Sequence, residues 1–143
     1  MMRAVALMVT AVLALVTLSA CGSDDPYCGE VKEHESTLNT FGQKRTTTAY
    51  TGYARTFRAV AKVAPASVKP DWTAIAKVTE GVLAAQDEVG VKLEQMTDTA
   101  RVKKLSTAQL KKLNNAYEAF NKTADQRRAV VKNVQQECDI KLT

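Results

Sequence analysis

LSTAQLKKLNNAYEAFNKTADQRRAVVKNVQQEC, residues 105–138, carries the pattern that decides the fold. Leu110, Leu113, Tyr117, Phe120, Ala124, Val131, Val134 and Cys138 recur in steps of three and four, with a gap only at Arg127. This spacing puts them on one stripe of an α-helix, whose turn takes about 3.6 residues. Ser106 stands ahead of the stripe with Gln109 three residues on, the pairing that caps a helix start reciprocally. The stretch reads as one amphipathic helix from Ser106 to Cys138.

The same spacing recurs upstream. Trp72, Ile75, Thr79, Val82, Gln86, Val89, Leu93 and Met96 trace a second stripe, entered through Pro70-Asp71. Gly90 is its weak point, since glycine inside a helix costs about 1 kcal/mol relative to alanine. Tyr50, Tyr53, Phe57, Val60 and Ala64 trace a third. Pro65 ends it, because the residue before a proline is pushed out of helical geometry. Cys28, Val31, Glu35, Leu38 and Phe41 trace a shorter stripe over residues 26–41, with Pro26 in the first turn. Gly42 and Thr46-Thr47-Thr48 interrupt the pattern after it. There is no strand alternation, internal repeat or second domain. The expectation is an all-α fold, an up-down four-helix bundle over residues 26–143.

The N-terminus has a different character. Arg3 precedes Ala4–Leu18, which is apolar apart from Thr10 and Thr17. The run is shorter than the about 20 residues of a membrane span. It closes on Leu18-Ser19-Ala20-Cys21, which resembles the lipobox at the end of a bacterial lipoprotein signal peptide. The resemblance implies a signal peptide over residues 1–20, cleaved after Ala20, and fatty acyl (palmitate-type) chains on Cys21. It also implies attachment to the outer face of the cytoplasmic membrane. A plain secretory signal and a retained anchor helix are the two alternatives. Each buried methylene contributes about 0.8 kcal/mol, so two acyl chains hold where one does not. Residues 21–25 then form a polar tether, which reaches at most about 17 Å when extended. The folded part is expected close to the bilayer.

With Cys21 acylated, Cys28 and Cys138 remain. Outside the cytoplasm, two spare cysteines in a small domain usually pair. Both lie on apolar stripes, one opening the first helix and one closing the last. Those ends meet in an up-down bundle only if the number of passes is even. A disulfide needs Cα atoms within about 7 Å. Four helices and a Cys28–Cys138 bond therefore stand or fall together.

The first two stripes are shorter than the last two, so they cannot cover them entirely. Either Leu93, Met96, Leu105 and Leu113 form an exposed apolar surface for a partner, or the chain breaks at Gly90 and folds back as a cover. The fold-back is the preferred reading.

Candidate chemistry is sparse. His34 is the one histidine, with Glu30, Glu33 and Glu35 nearby. A metal site needs three or four converging ligands, and the other helices offer no inward acidic pair, so neither metal nor cofactor is expected. No nucleophile elbow, phosphate loop or second histidine is present, which argues against an enzyme. The chain carries a net charge of +5. Lys103-Lys104, Lys111-Lys112, Lys122, Arg127-Arg128 and Lys132 make the last third basic. These residues suit anionic lipid headgroups or wall polymers, or simply a solvated helix surface. Nucleic acid is not expected, for want of an aromatic stacking set. Arg127, inside the seam, either extends outward along its stem or pairs with a carboxylate. Trp72, Tyr50, Tyr53, Tyr117 and Phe120 are expected to be core before they are a ligand pocket.

Several short pieces together resemble small secreted lipoproteins of actinobacteria, a group mostly without assigned function. They are Leu18-Ser19-Ala20-Cys21, the acidic tether into Tyr27-Cys28, Val31-Lys32-Glu33-His34, Ala64-Pro65 followed by Asp71-Trp72, and Cys138 near the C-terminus. The resemblance implies an envelope-anchored helical domain with a Cys28–Cys138 bond and supplies no activity. The functional expectation is a non-enzymatic lipoprotein, held to the membrane through Cys21 and binding an envelope protein or anionic polymer. The alternative is a small-ligand carrier with a cavity between its helices.

Overall fold

Asp25 begins the described part of the chain, residues 25–143 of a computed structural model, and caps its first helix. Its carboxylate accepts the N–H of Tyr27 at 2.8 Å. Helix α1 spans Pro26–Glu33 and α2 spans Glu35–Asn39. The single helix expected over residues 26–41 is thus two, distorted at His34 (φ −101°, ψ 7°) and ending ahead of Gly42, which adopts φ +85°. Helix α3, Thr47–Val63, starts where Thr46 Oγ1 accepts the N–H of Ala49. It stops before Ala64-Pro65, where the backbone turns extended. Helix α4 spans Lys69–Val89, and Gly90 terminates it in the left-handed conformation at φ +73°. The chain then passes through a short turn at Leu93–Gln95 and helix α5, Thr99–Val102. Helices α6, Thr107–Asn121, and α7, Ala124–Cys138, follow. No strand occurs among the described residues.

Gly90 ends α4 outright and Leu93 and Met96 lie beyond the helix, which is the break that the preferred reading placed there. The helix expected from Ser106 to Cys138 breaks at Lys122-Thr123, and Arg127 explains the break. Its Nη1 donates to the Phe120 carbonyl and to Thr123 Oγ1, both at 3.0 Å. Thr123 Oγ1 donates to the same carbonyl at 2.7 Å. These bonds satisfy a carbonyl that a continuous helix would have bonded itself. The guanidinium also sits 5.1 Å from the centre of the Phe120 ring, in cation–π geometry. Arg127 is therefore turned to the helix break, and among the described residues it pairs with no carboxylate. The break also shifts the phase of the seam: Val130 is 4% exposed, whereas Val131, placed inward by the sequence pattern, is 40% exposed.

Helices α3 and α4 run antiparallel. Arg58 grips the Glu80 carboxylate with two bonds of 2.7 and 2.6 Å, and Lys69 Nζ donates to the Lys62 carbonyl near the turn. Helix α4 is the central element, packed on α3, α6 and α7, while α1 lies against α3 and α7. The main core joins Val31, Val60, Trp72, Ile75, Ala76 and Val134. Phe41 meets Tyr53 and Phe57 edge-on, with ring centres 5.1 and 4.9 Å apart. A second, smaller core forms where the chain folds back, from Ala85, Val89, Val91 and Leu113.

Cys28 and Cys138 are bonded, with Cα atoms 5.3 Å apart across 110 residues of sequence. The bond ties the start of α1 to the end of α7. Beyond it the tail runs back along α1 and α2. Leu142 is buried, and the Thr143 N–H reaches Asn39 Oδ1 at 2.8 Å.

Candidate functional site

The segment following Gly90 builds one wall of a groove, so its placement comes first. A glycine accepts the left-handed conformation without the Cβ clash that other residues meet, and the chain can therefore reverse off α4. Glu94 then reaches the first turn of α3. Its Oε2 accepts the Thr47 N–H at 2.9 Å and the Thr47 hydroxyl at 3.1 Å. The Leu93 N–H donates back to Thr47 Oγ1 at 3.2 Å. Hydrogen bonds from Thr47 hold the Glu94 carboxyl below the usual carboxylate range. The positive end of the helix dipole favours the same charge.

Between this wall, the start of α3 and the end of α4 lies a groove of about 520 Å³. Leu83 and Val91 give it apolar surface, while Gln86, Asp87, Lys92 and Arg101 bring polar and charged groups to it. Gln86 is 3% exposed. Its Nε2 donates to the Tyr117 hydroxyl at 2.7 Å, and its Oε1 is buried without a protein partner. Burial of Tyr117 pushes its hydroxyl pKa upward, against the opposing pull of the Gln86 bond. Both the hydroxyl and the amide are uncharged at neutral pH, so the pair can bind and orient but cannot transfer protons readily. The two threonine hydroxyls on the groove are occupied, Thr47 with Glu94 at 3.1 Å and Thr51 with the Thr47 carbonyl at 2.9 Å. A second concavity of about 550 Å³ lies at the α3–α4 turn and the start of α4, lined by Ala66, Pro70 and Ala74 with Lys69, Thr73 and Lys77. Its surface is almost wholly apolar, so the groove at Gln86 is the candidate site.

The residues singled out by the sequence fall in several places. Cys21, with residues 1–20 and the rest of the tether to Asp24, lies outside the described residues. Cys28 and Cys138 are joined. Leu93 and Leu113, expected as part of a possible partner surface, are only 8% and 2% exposed. Met96 and Leu105 are half-buried against the same small core. The four residues thus form no open seam; the fold-back covers them. His34 Nε2 stands 3.1 Å from Glu30 Oε1, and among the described residues no three or more histidine, cysteine or acidic groups converge. Tyr50, Tyr53 and Trp72 are core. Of the basic run, Lys112 pairs with Glu88, Lys122 with Glu118 and Arg128 with Asp125. Those contacts break up the positive surface. Lys103, Lys104, Lys111 and Lys132 stay exposed.

Sequence reasoning did not find the groove. Its visible sign was Gln86, which with Thr79 is one of two polar residues on that stripe. No helix among the described residues is long and apolar enough to cross a membrane. No protein-family model matches the chain, and no curated protein or solved structure is found to be similar to it.

Proposed function

We propose that this protein is a lipid-anchored, extracytoplasmic binding module without enzymatic activity. In this reading residues 1–20 are a cleaved signal and Cys21 carries the acyl chains. Helices α1–α2, α3, α4 and α6–α7 act as the four passes of an up-down bundle. The observation that carries the reading is the Cys28–Cys138 bond. Disulfides persist in oxidising compartments and are rare where thiols are kept reduced. It also supports the topology, because it requires the first and last passes to end together. The resemblance of the N-terminus to a lipobox supplies the anchor. Intact mass of the membrane-extracted protein tests it: diacylglyceryl on an N-terminal Cys21 is expected, and an unmodified Cys21 overturns the anchor.

Of the two kinds of cargo, the geometry favours a small ligand over an envelope protein or polymer. Of the apolar hairpin residues that would have met a partner, Leu93 and Leu113 are buried and Met96 and Leu105 half-buried. Among the described residues Val63 and Val131 are the exposed large hydrophobics, and they stand on different helices. A groove of a few hundred cubic ångströms with a few converging polar groups is the usual form of a small-molecule site. Crosslinking in intact cells discriminates the two: a specific macromolecular adduct from residues 91–105 would overturn the small-ligand reading.

A further inference from the structure

The α3–α4 turn lies at the end of the bundle from which the chain runs back to Cys21. Trp72, in the first turn of α4, donates to the hydroxyl of Tyr27, in the first turn of α1, at 3.1 Å. Asp25, two residues before Tyr27, caps α1. Five extended residues reach at most about 17 Å, more than the diameter of one helix. Acyl chains on Cys21 would therefore hold this turn at the bilayer surface.

The turn offers both apolar surface and charge. Val63, on the last turn of α3, is 38% exposed. Ala66 and Pro70 are exposed as well, and the concavity of about 550 Å³ that they line is almost wholly apolar. Lys69 and Lys77 line it too, and Lys69 Nζ reaches back to the carbonyl of Lys62. Among the described residues, Lys62, Lys69 and Lys77 form no ion pair, whereas Lys112, Lys122 and Arg128 do. At about 100° per residue, Lys69, Pro70, Thr73, Ala74 and Lys77 share one face of α4, and Asp71 falls on another. The remaining acids of this end, Asp25, Glu137 and Asp139, belong to the corner of the Cys28–Cys138 bond.

These two properties together select the occupant. A soluble anion or polymer would match the lysines and leave the apolar surface in water. An apolar ligand would leave the lysines unmatched. A bilayer interface answers both, with acyl carbon beneath the turn and phosphates at the level of the ammonium groups, toward which lysine stems extend. Each lysine near an anionic leaflet contributes about fivefold to partitioning. The tether adds a high effective concentration of that leaflet.

We propose that the α3–α4 turn docks on the anionic bilayer that holds the anchor, with Val63, Ala66 and Pro70 in the headgroup region and Lys62, Lys69 and Lys77 on lipid phosphates. The inference rests on the lipid-anchor reading above. Docking orients the bundle: the groove at Gln86, near the other end of α4, faces away from the membrane.

The membrane-extracted protein, reconstituted on vesicles of phosphatidylcholine containing phosphatidylglycerol, tests this. An environment-sensitive dye is attached through Ala66→Cys or, in a separate sample, through Lys111→Cys, whose neighbour Lys112 pairs with Glu88 at the far end of α4. Nitroxide-bearing lipids are expected to quench the first dye and not the second. The triple variant Lys62→Gln/Lys69→Gln/Lys77→Gln is expected to lower the docked-to-free ratio by about tenfold or more, with the thermal midpoint in place. High salt should act in the same direction. Equal quenching at both positions, undiminished quenching in the triple variant, or no quenching at position 66 on protein that still floats with vesicles in high salt overturns the docking and leaves the anchor standing. Quenching at position 66 on protein that high salt releases from the vesicles supports the docking and overturns the anchor. Protein that never floats with the vesicles overturns both.

Discussion

Trp72 Nε1 donates to the Tyr27 hydroxyl at 3.1 Å, and that hydroxyl donates in turn to Asn133 Oδ1 at 2.8 Å. The relay ties α4 to α1 and α1 to α7, one residue from the Cys28–Cys138 bond. Tyr27 and Trp72 are both fully buried. Tyr27→Phe keeps the packing but strips a partner from the indole N–H and from the Asn133 oxygen. An unsatisfied buried group costs about 1–3 kcal/mol, and a destabilisation of that size is expected. Trp72 is the one tryptophan of the chain, so its emission reports the urea transition directly. The midpoint should fall and the slope should stay unchanged.

Reducing the disulfide should destabilise the protein more. The bond closes a loop of 110 residues, and the chain-entropy account gives about 4–5 kcal/mol for a loop of that size. Urea unfolding with and without reductant measures the difference. Cys28→Ser should match the reduced protein, because either change opens the same loop.

Two glycines should respond oppositely to alanine. Gly90 lies at φ +73° and Gly81 lies inside α4, and a Cβ at either would meet nothing within 4 Å. Only the backbone therefore decides. Gly90→Ala forces an alanine into the left-handed region, at about 1–2 kcal/mol. Gly81→Ala removes a flexible residue from a helix interior and should stabilise by about 0.5–1 kcal/mol. Thermal midpoints of the two variants should shift in opposite directions.

Acid should loosen the fold-back segment first. The folded-state pKa of Glu94 is depressed, chiefly by the Thr47 backbone N–H, then by its own, with Lys92 adding a smaller attraction. A depressed carboxylate contributes stability above its unfolded pKa and loses it as pH falls through its folded value. Hydrogen-exchange protection of the Thr47 and Leu93 amides should therefore decline from neutral pH into the acid range. Glu94→Gln should show weaker protection at neutral pH and little of that pH dependence.

Most inward-facing positions were legible from spacing alone. Tyr50, Tyr53, Phe57 and Val60 on α3 and Ala64 just after it are all buried, as are Trp72, Ile75, Thr79, Val82, Gln86 and Val89 on α4. Helix period converts sequence spacing into a face, and burying one apolar face leaves little choice about which. The cap at Ser106 was equally readable, with both reciprocal bonds to Gln109 present. It involves residues three apart, so nothing distant can alter it. The Cys28–Cys138 bond was expected from cysteine number, since reading Cys21 as acylated leaves just these two.

Other features needed distant parts of the chain to meet. Gly90 reads in sequence as either a weak helical position or a stop. Burial of Leu93 and the bonds of Glu94 to Thr47, 47 residues away, favour the stop. Arg127 reads as a flaw in a continuous seam, yet it bonds the Phe120 carbonyl, breaks the helix and puts Val130 inside in place of Val131. Tyr27 and Asn133 carry no mark of each other across 106 residues. Local periodicity thus specified the faces of the helices, because it depends only on near neighbours. The helix ends, the polar relay and the groove depended on which donors and acceptors came within reach after packing, and spacing along the chain does not encode that.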